Sequence, residues 1–118
     1  MTGHAFQGES RGYTAAVLKA YLQLPETPQK ASFNDRQTAV ALHARGVPLF
    51  AVESALLLAS ARRLGRSPDM PHLSPIRSLA YFMPVIQEVL DQPFSEDYLG
   101  YLRMKVNYLS GRQKAVAK

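Results

Sequence analysis

The fold class is decided by Pro48-Leu49-Phe50-Ala51-Val52-Glu53-Ser54-Ala55-Leu56-Leu57-Leu58-Ala59-Ser60-Ala61-Arg62-Arg63-Leu64-Gly65. Leu49, Val52, Leu56, Ala59 and Arg63 recur at spacings of three and four, the signature of one helical face. Ala55 and Leu57 lie beside that stripe. So many apolar positions mark the central, most buried helix of an all-helical domain. Pro48 suits its first turn, where the missing N–H would have been unpaired anyway. Gly65 is the stop signal.

The same reading extends in both directions. Upstream, Asn34 or Ser32 opens a second helix, with Asp35 and Arg36 in its first turn and Gly46 as its left-handed terminator. Before that, Tyr13, Ala16, Val17, Ala20, Tyr21 and Leu24 predict a first helix from about Gly12 to Leu24, ended by Pro25 and Pro28. Residues 1–11 lack periodicity and read as a loose arm. Downstream, Ser74 and Pro75 read as N-cap and first position of a fourth helix. Its stripe is Ile76, Leu79, Met83, Ile86 and Leu90. Pro84 falls inside that stripe, where a proline costs roughly 3 kcal/mol, and so predicts a kink or a split with a bend near Tyr81. Ser95 caps a fifth helix with Glu96 and Asp97 at its positive end. Leu99, Leu102, Val106 and Leu109 form its seam, and Gly111 ends it. The expectation is an all-α, single compact bundle of about five helices over residues 12–111, with a basic tail over 112–118.

Charge is distributed unevenly along the chain. Up to Leu102, nine basic residues balance nine acidic ones. From Arg103 onward come Arg103, Lys105, Arg112, Lys114 and Lys118 and no acid, which accounts for the net charge of +5 in 118 residues. A neutral body with a basic end, and a pI near 9.7, favour a polyanionic partner. Tyr101, Lys105 and Tyr108, with Tyr98 before them, border the fifth helix's apolar seam. Tyrosine faces stack on unpaired bases while Lys and Arg neutralise phosphates; the plain alternative is that the tyrosines widen the core edge. Arg62, Arg63, Arg66 and Arg77 form a second basic group. The helix dipole accounts for Arg62 and Arg63. Arg77 is expected to contact a phosphate or to pair with a carboxylate such as Glu53.

Catalysis finds little support. His4, His43 and His72 stand singly, without metal-ligand spacing, and Gly111-Arg112-Gln113-Lys114 lacks the frame of a phosphate loop. Ser54 and Ser60 have no evident base, and the chain has no cysteine. The expectation is a non-enzyme without cofactor or metal. The N-terminal MTGHAFQGES lacks the basic and apolar regions of a signal peptide. The longest apolar run, Ala55–Ala59, is far short of a membrane span. A cytoplasmic protein with no membrane contact is expected.

The stretch from Phe33 to Leu90 resembles the C-terminal helical domain of DnaD/DnaB-type primosomal replication proteins. The likeness rests on Ala44-Arg45-Gly46, on Val52 to Ala59, and on Ser78-Leu79-Ala80-Tyr81 with Val85 and Val89. The last group is similar to the family's Tyr-x-x-x-Ile-x-x-x-Trp motif, with Tyr81, Val85 and Val89 in the three places. This chain differs in having Val89 at the aromatic position, Pro84 inside the motif and a proline-bearing loop from Gly65 to Ser74. The resemblance implies DNA binding and a role in replication, on a plasmid or other mobile element. A protein-interaction or oligomerisation adaptor and a helix-turn-helix regulator, built on the Gly46-Val47-Pro48 turn, stay open as alternatives. Expected partners are nucleic acid, DNA above RNA, and a second copy or a replication protein.

Overall fold

The helices stop where the sequence supplies proline or glycine, with two exceptions at the chain ends. The structure is a computed structural model that describes the backbone of residues 2–117 and the side chains of residues 11–111. Its elements are α1 (Thr2–Leu22), α2 (Phe33–Ala44), α3 (Leu49–Leu64), a 3-10 turn (Leu79–Phe82), α4 (Met83–Asp91) and α5 (Glu96–Ala117). No strand occurs among the described residues. The domain is an all-α bundle of five helices.

α3 is the centre, as its sequence implied. α1, α4 and α5 all pack on it, and α2 packs on α1 and on the 3-10 turn. Val52, Ala55 and Leu56 are buried among Val17 and Tyr21 of α1, Leu42 of α2, and Leu79, Phe82 and Ile86. A second, smaller cluster joins Ala61 and Leu64 to Leu102 and Val106, and this cluster holds α5. Leu57, Leu58 and Phe94 touch both clusters.

Ser32, one of the two residues expected to open α2, is its N-cap. Its hydroxyl accepts the Asp35 N–H at 3.0 Å, and the Asp35 Oδ2 accepts the Ser32 N–H at 2.9 Å, a reciprocal capping box. Gly46 follows the C-cap at φ +75°, the left-handed terminator expected there. The Tyr13 hydroxyl donates to the Val47 carbonyl at 2.7 Å and fixes α1 against the α2–α3 turn.

Three expectations need correction. The segment taken as a loose arm is helical from Thr2, well before Gly12. Apolar periodicity reports a buried face, not helicity itself, and no proline interrupts residues 2–22. At the other end, α5 continues past Gly111 to Ala117, where a basic tail was expected. A glycine inside a helix costs only about 1 kcal/mol, and no proline follows it.

The third correction concerns the fourth helix. Ser74 and Pro75 do not start it; residues 71–78 are non-helical. Pro84 splits the apolar stripe and lies in the first turn of α4, where it sacrifices no hydrogen bond. The stretch similar to the Tyr-x-x-x-Ile-x-x-x-Trp motif therefore starts in a 3-10 turn and ends in α4. Ile76 and Leu79 still reach the core, through extended chain and the 3-10 turn.

That extended chain is held by Asp35. Its Oδ1 accepts the Leu79 N–H at 2.9 Å, across 44 residues of sequence, and the carboxyl group is buried. The Ile76 N–H donates to the Glu26 carbonyl at 2.9 Å. Glu26 sits at φ +65°, a conformation uncommon outside glycine.

Replacing Asp35 by Ala removes a cap and orphans the buried Leu79 N–H. Each loss costs about 1–2 kcal/mol, so chemical denaturation is expected to show a loss of about 2–4 kcal/mol. The buried Tyr21 hydroxyl has no hydrogen-bond partner. Its pKa is pushed up to about 12, first by burial and then by the charge of Asp35. The folded state thus holds this proton more tightly than the unfolded chain. Its contribution to stability is complete below pH ~10 and lost as the pH rises through about 12. Tyr21→Phe is expected to lessen the alkaline loss of stability and to abolish the latest step of a tyrosinate absorbance titration.

Candidate functional site

α5 presents a row of exposed aromatic and sulfur side chains. The fractional exposures are 42% for Tyr98, 52% for Tyr101, 66% for Tyr108 and 72% for Met104. The row has internal order. Phe94 meets Tyr98 edge-on at 4.9 Å, and Tyr98 stacks on Tyr101 at 5.8 Å with 25° between the planes. The Lys105 Nζ lies 5.8 Å from the Tyr101 ring centroid, within cation–π reach. Tyr101, Lys105 and Tyr108 therefore share one exposed strip.

The strip exists because the seam beneath it is satisfied. Ser95 caps α5 by accepting the Tyr98 N–H at 3.2 Å. Leu99, Leu102 and Val106 are buried and Leu109 half-buried. That leaves the positions one flank away to solvent. Tyrosine at a core edge would bury its ring and wet its hydroxyl. Here Tyr101 and Tyr108 keep more than half their surface exposed, which packing does not require.

Arg103 is not part of this strip. At 3.6 residues per turn it lies about 200° around the helix from Tyr101. It lines a groove between α1, α3 and α5 with Gln23, Glu53, Leu56, Val106 and Asn107. The side chains of Arg112, Lys114 and Lys118 lie outside the described residues.

The arginines at the end of α3 also separate. Arg62 makes a two-pronged contact with Glu88 of α4, its Nη1 donating to Oε2 at 2.9 Å and its Nη2 to Oε1. Arg63 turns inward, and its side chain is 6% exposed. It donates to the Tyr81 hydroxyl at 3.0 Å, the Ser74 carbonyl at 2.8 Å and the Glu26 carboxylate at 3.4 Å. Its guanidinium also stands 5.4 Å from the Tyr81 ring centroid. Arg66 donates to the Pro71 carbonyl at 3.2 Å. Arg63 is thus a clamp between α3, the turn after α1 and the long loop. It is not available to a phosphate. Arg62, Arg66, Leu73, Tyr81 and Val85 line a shallow depression above it.

Arg77 is exposed and lines a separate hollow with Glu26, Thr27, Pro28 and Ile76. The expected pairing with Glu53 does not form; Glu53 belongs to the groove that holds Arg103. His43 is half-buried and meets Tyr13 edge-on at 4.9 Å. Among the described residues, no group of three or more His, Asp or Glu is placed to hold a metal ion. No described helix is long and apolar enough to cross a membrane.

Sequence reasoning passed over three contributors. Met104 belongs to the exposed row, and its position, three residues past Tyr101 and four before Tyr108, was legible as a second helical stripe. Phe94 extends the row before the helix begins. Glu88 had no sequence signal, because its partner Arg62 lies 26 residues away.

No family model matches the chain, and neither curated proteins nor solved structures supply a match.

The Arg62 guanidinium holds the Glu88 carboxyl below the usual carboxylate range, chiefly by hydrogen bonding; desolvation opposes this, and the charge of Arg62 adds a smaller lowering effect. Its contribution to stability is therefore present above the ordinary glutamate pKa and is lost as the pH falls through the depressed value. The pair is exposed, so the contribution is small. Carbon-detected NMR titration is expected to find the Glu88 midpoint low, and to find it back in the ordinary range in Arg62→Ala.

Proposed function

We propose that this chain is a non-enzymatic nucleic-acid-binding accessory protein that serves DNA replication or the maintenance of a mobile element. The observation that carries the reading is the α5 strip, with Tyr101 and Tyr108 exposed and Lys105 beside them. In the sequence this strip runs into the only stretch with a large excess of positive charge. Exposed tyrosine faces give bases a stacking surface, and the cations neutralise phosphates. Neither feature reads a base edge, so binding depends on salt and has little sequence preference.

The bundle's part is to aim α5. Leu102 and Val106 anchor the helix on α3, and the tyrosines and Lys105 take their direction from that anchor. Arg66 and Arg77 are accessory phosphate contacts on other faces; Arg103 reaches a backbone only by way of the α1–α3–α5 groove. The resemblance of Phe33–Leu90 to the DnaD/DnaB-type helical domain supports the replication setting and not the choice of residues, because α5 falls outside it. A helix-turn-helix role gains nothing from the fold. α3, which would be the reading helix after Gly46, is instead the buried centre. The exposed Met104 favours a second reading, a helical adaptor, since a methionine adds contact area to a protein interface.

The test is fluorescence anisotropy with labelled single- and double-stranded oligonucleotides at several salt concentrations. The logarithm of affinity is expected to fall linearly with the logarithm of salt, by about 0.7 per phosphate contact on a single strand. Neutralising Lys105, Arg112, Lys114 and Lys118 together should remove most of that slope. Tyr101→Ala should cost about 1–3 kcal/mol on a single strand. Affinity that ignores both salt and these substitutions leaves the adaptor reading in place instead.

A further inference from the structure

We infer that the α5 strip is also a self-association surface, on which a second copy of this chain docks with its own α5 antiparallel. The argument starts from what the helix leaves unpartnered. Tyr98, Tyr101, Met104 and Tyr108 are four of the nine large apolar or aromatic side chains that the described residues leave exposed. All four fall on one helix, whose opposite flank is spent on α3. Large exposed apolar side chains gathered on one element mark an interaction surface rather than scattered surface residues.

Charge selects the partner and its direction. The first turn of α5 carries Glu96 and Asp97, and from Arg103 onward every charged residue in the sequence is basic. A helix with acid at one end and cations at the other is self-complementary only when the second copy runs the opposite way. A parallel pair would set acid against acid and cation against cation. The antiparallel pair is also what a twofold axis generates, with the same patch on both copies.

Helical register fixes the centre. Placing the axis between Met104 and Lys105 puts Tyr101 level with Tyr108 of the second copy. The same register brings Asp97 level with position 112, a basic residue in the sequence. The stripe Asp97, Tyr101, Met104, Tyr108 then faces itself, with aromatic pairs on either side of a methionine centre. Met104 suits that place, because its flexible thioether packs against whatever ring approaches.

Size decides the strength. A helix of 22 residues is about 33 Å long, and a strip about 10 Å wide along it covers roughly 330 Å² per copy. Stable interfaces bury about 800 Å² per partner. The association is therefore weak and concentration-dependent, with a dissociation constant in the micromolar range or above. It stands independently of the nucleic-acid reading. If both hold, the two ligands compete for Tyr101 and Tyr108, and an oligonucleotide drives the dimer apart.

The experiment is sedimentation equilibrium over micromolar to millimolar concentrations, with circular dichroism to confirm the fold of each variant. The wild-type chain is expected to show a monomer–dimer equilibrium. Met104→Lys, which sets a cation level with Lys105 of the second copy, should weaken it at least tenfold. Asp97→Lys should weaken it, and adding Arg112→Glu to that variant should restore it. The chain has no cysteine, so single replacements report proximity cleanly. With a short bis-maleimide, Met104→Cys should cross-link to itself and Asp97→Cys should not. A chain that stays monomeric at millimolar concentration overturns the proposal, as does equal cross-linking at the two positions. Oligonucleotide binding by such a monomer would leave the nucleic-acid reading untouched, so the two failures are told apart.

Discussion

A single buried carboxyl group, that of Asp35, ties the two halves of this domain together. One oxygen closes the capping box at the start of α2, and the other accepts the Leu79 N–H at the start of the 3-10 turn. Everything downstream depends on the second bond. It seats the 3-10 turn, which delivers Leu79 and Phe82 to the core and hands the chain to α4 at Pro84. α4 then completes the wall of α3 beside the one that α5 covers. A buried polar group is costly without partners. Asp35 is tolerated because both its oxygens are used, one of them by the Leu79 N–H, which would itself be buried without a mate.

The second tie, Arg63, works from the C-terminal end of α3. It reaches the turn after α1, the loop carbonyl of Ser74 and the ring and hydroxyl of Tyr81. The loop from Gly65 to Ser78 is long and carries three prolines, yet Arg63, the Ile76 N–H and Asp35 pin its final third to the bundle. The charge in this region thus stabilises the fold as much as it decorates the surface. That division of labour separates α3's arginines from the cations of α5.

Much of the fold could be read from the sequence, because local chemistry agrees with packing there. Ser32, Gly46, Pro48, Gly65 and Ser95 mark element ends by their own backbone or side-chain properties, and α3 declares itself by composition. The fourth helix shows the limit. Its 3-4 stripe is satisfied equally by a helix and by extended chain plus a 3-10 turn, and only a contact 44 residues distant, Asp35 to Leu79, selects the second. The chain ends differ from expectation for the opposite reason: residues without apolar periodicity in the sequence still form helix when no proline stops them. At the site, the tyrosine strip was legible as a period. The direction of Arg63, the partner of Arg62 and the exile of Arg103 to the far flank were not, since each depends on tertiary neighbours. The resemblance to replication proteins spans the bundle and leaves out α5, so it could not have found the strip.

The two apolar clusters have a consequence for how the domain opens. The main cluster contains nothing from α5; that helix is held by Ala61, Leu64, Leu102 and Val106, with Leu57, Leu58, Phe94 and Leu109 at the margin. Cooperative units in a protein follow such divisions, and a unit with fewer buried contacts opens at lower free energy than the whole. α5 is therefore expected to open as a unit of its own, its amide protons exchanging by local undocking while those of α2 and α3 wait for global unfolding. A ligand that bridges α5 and the bundle closes that undocked state. Protection would then rise in one helix alone, without a comparable change in the core.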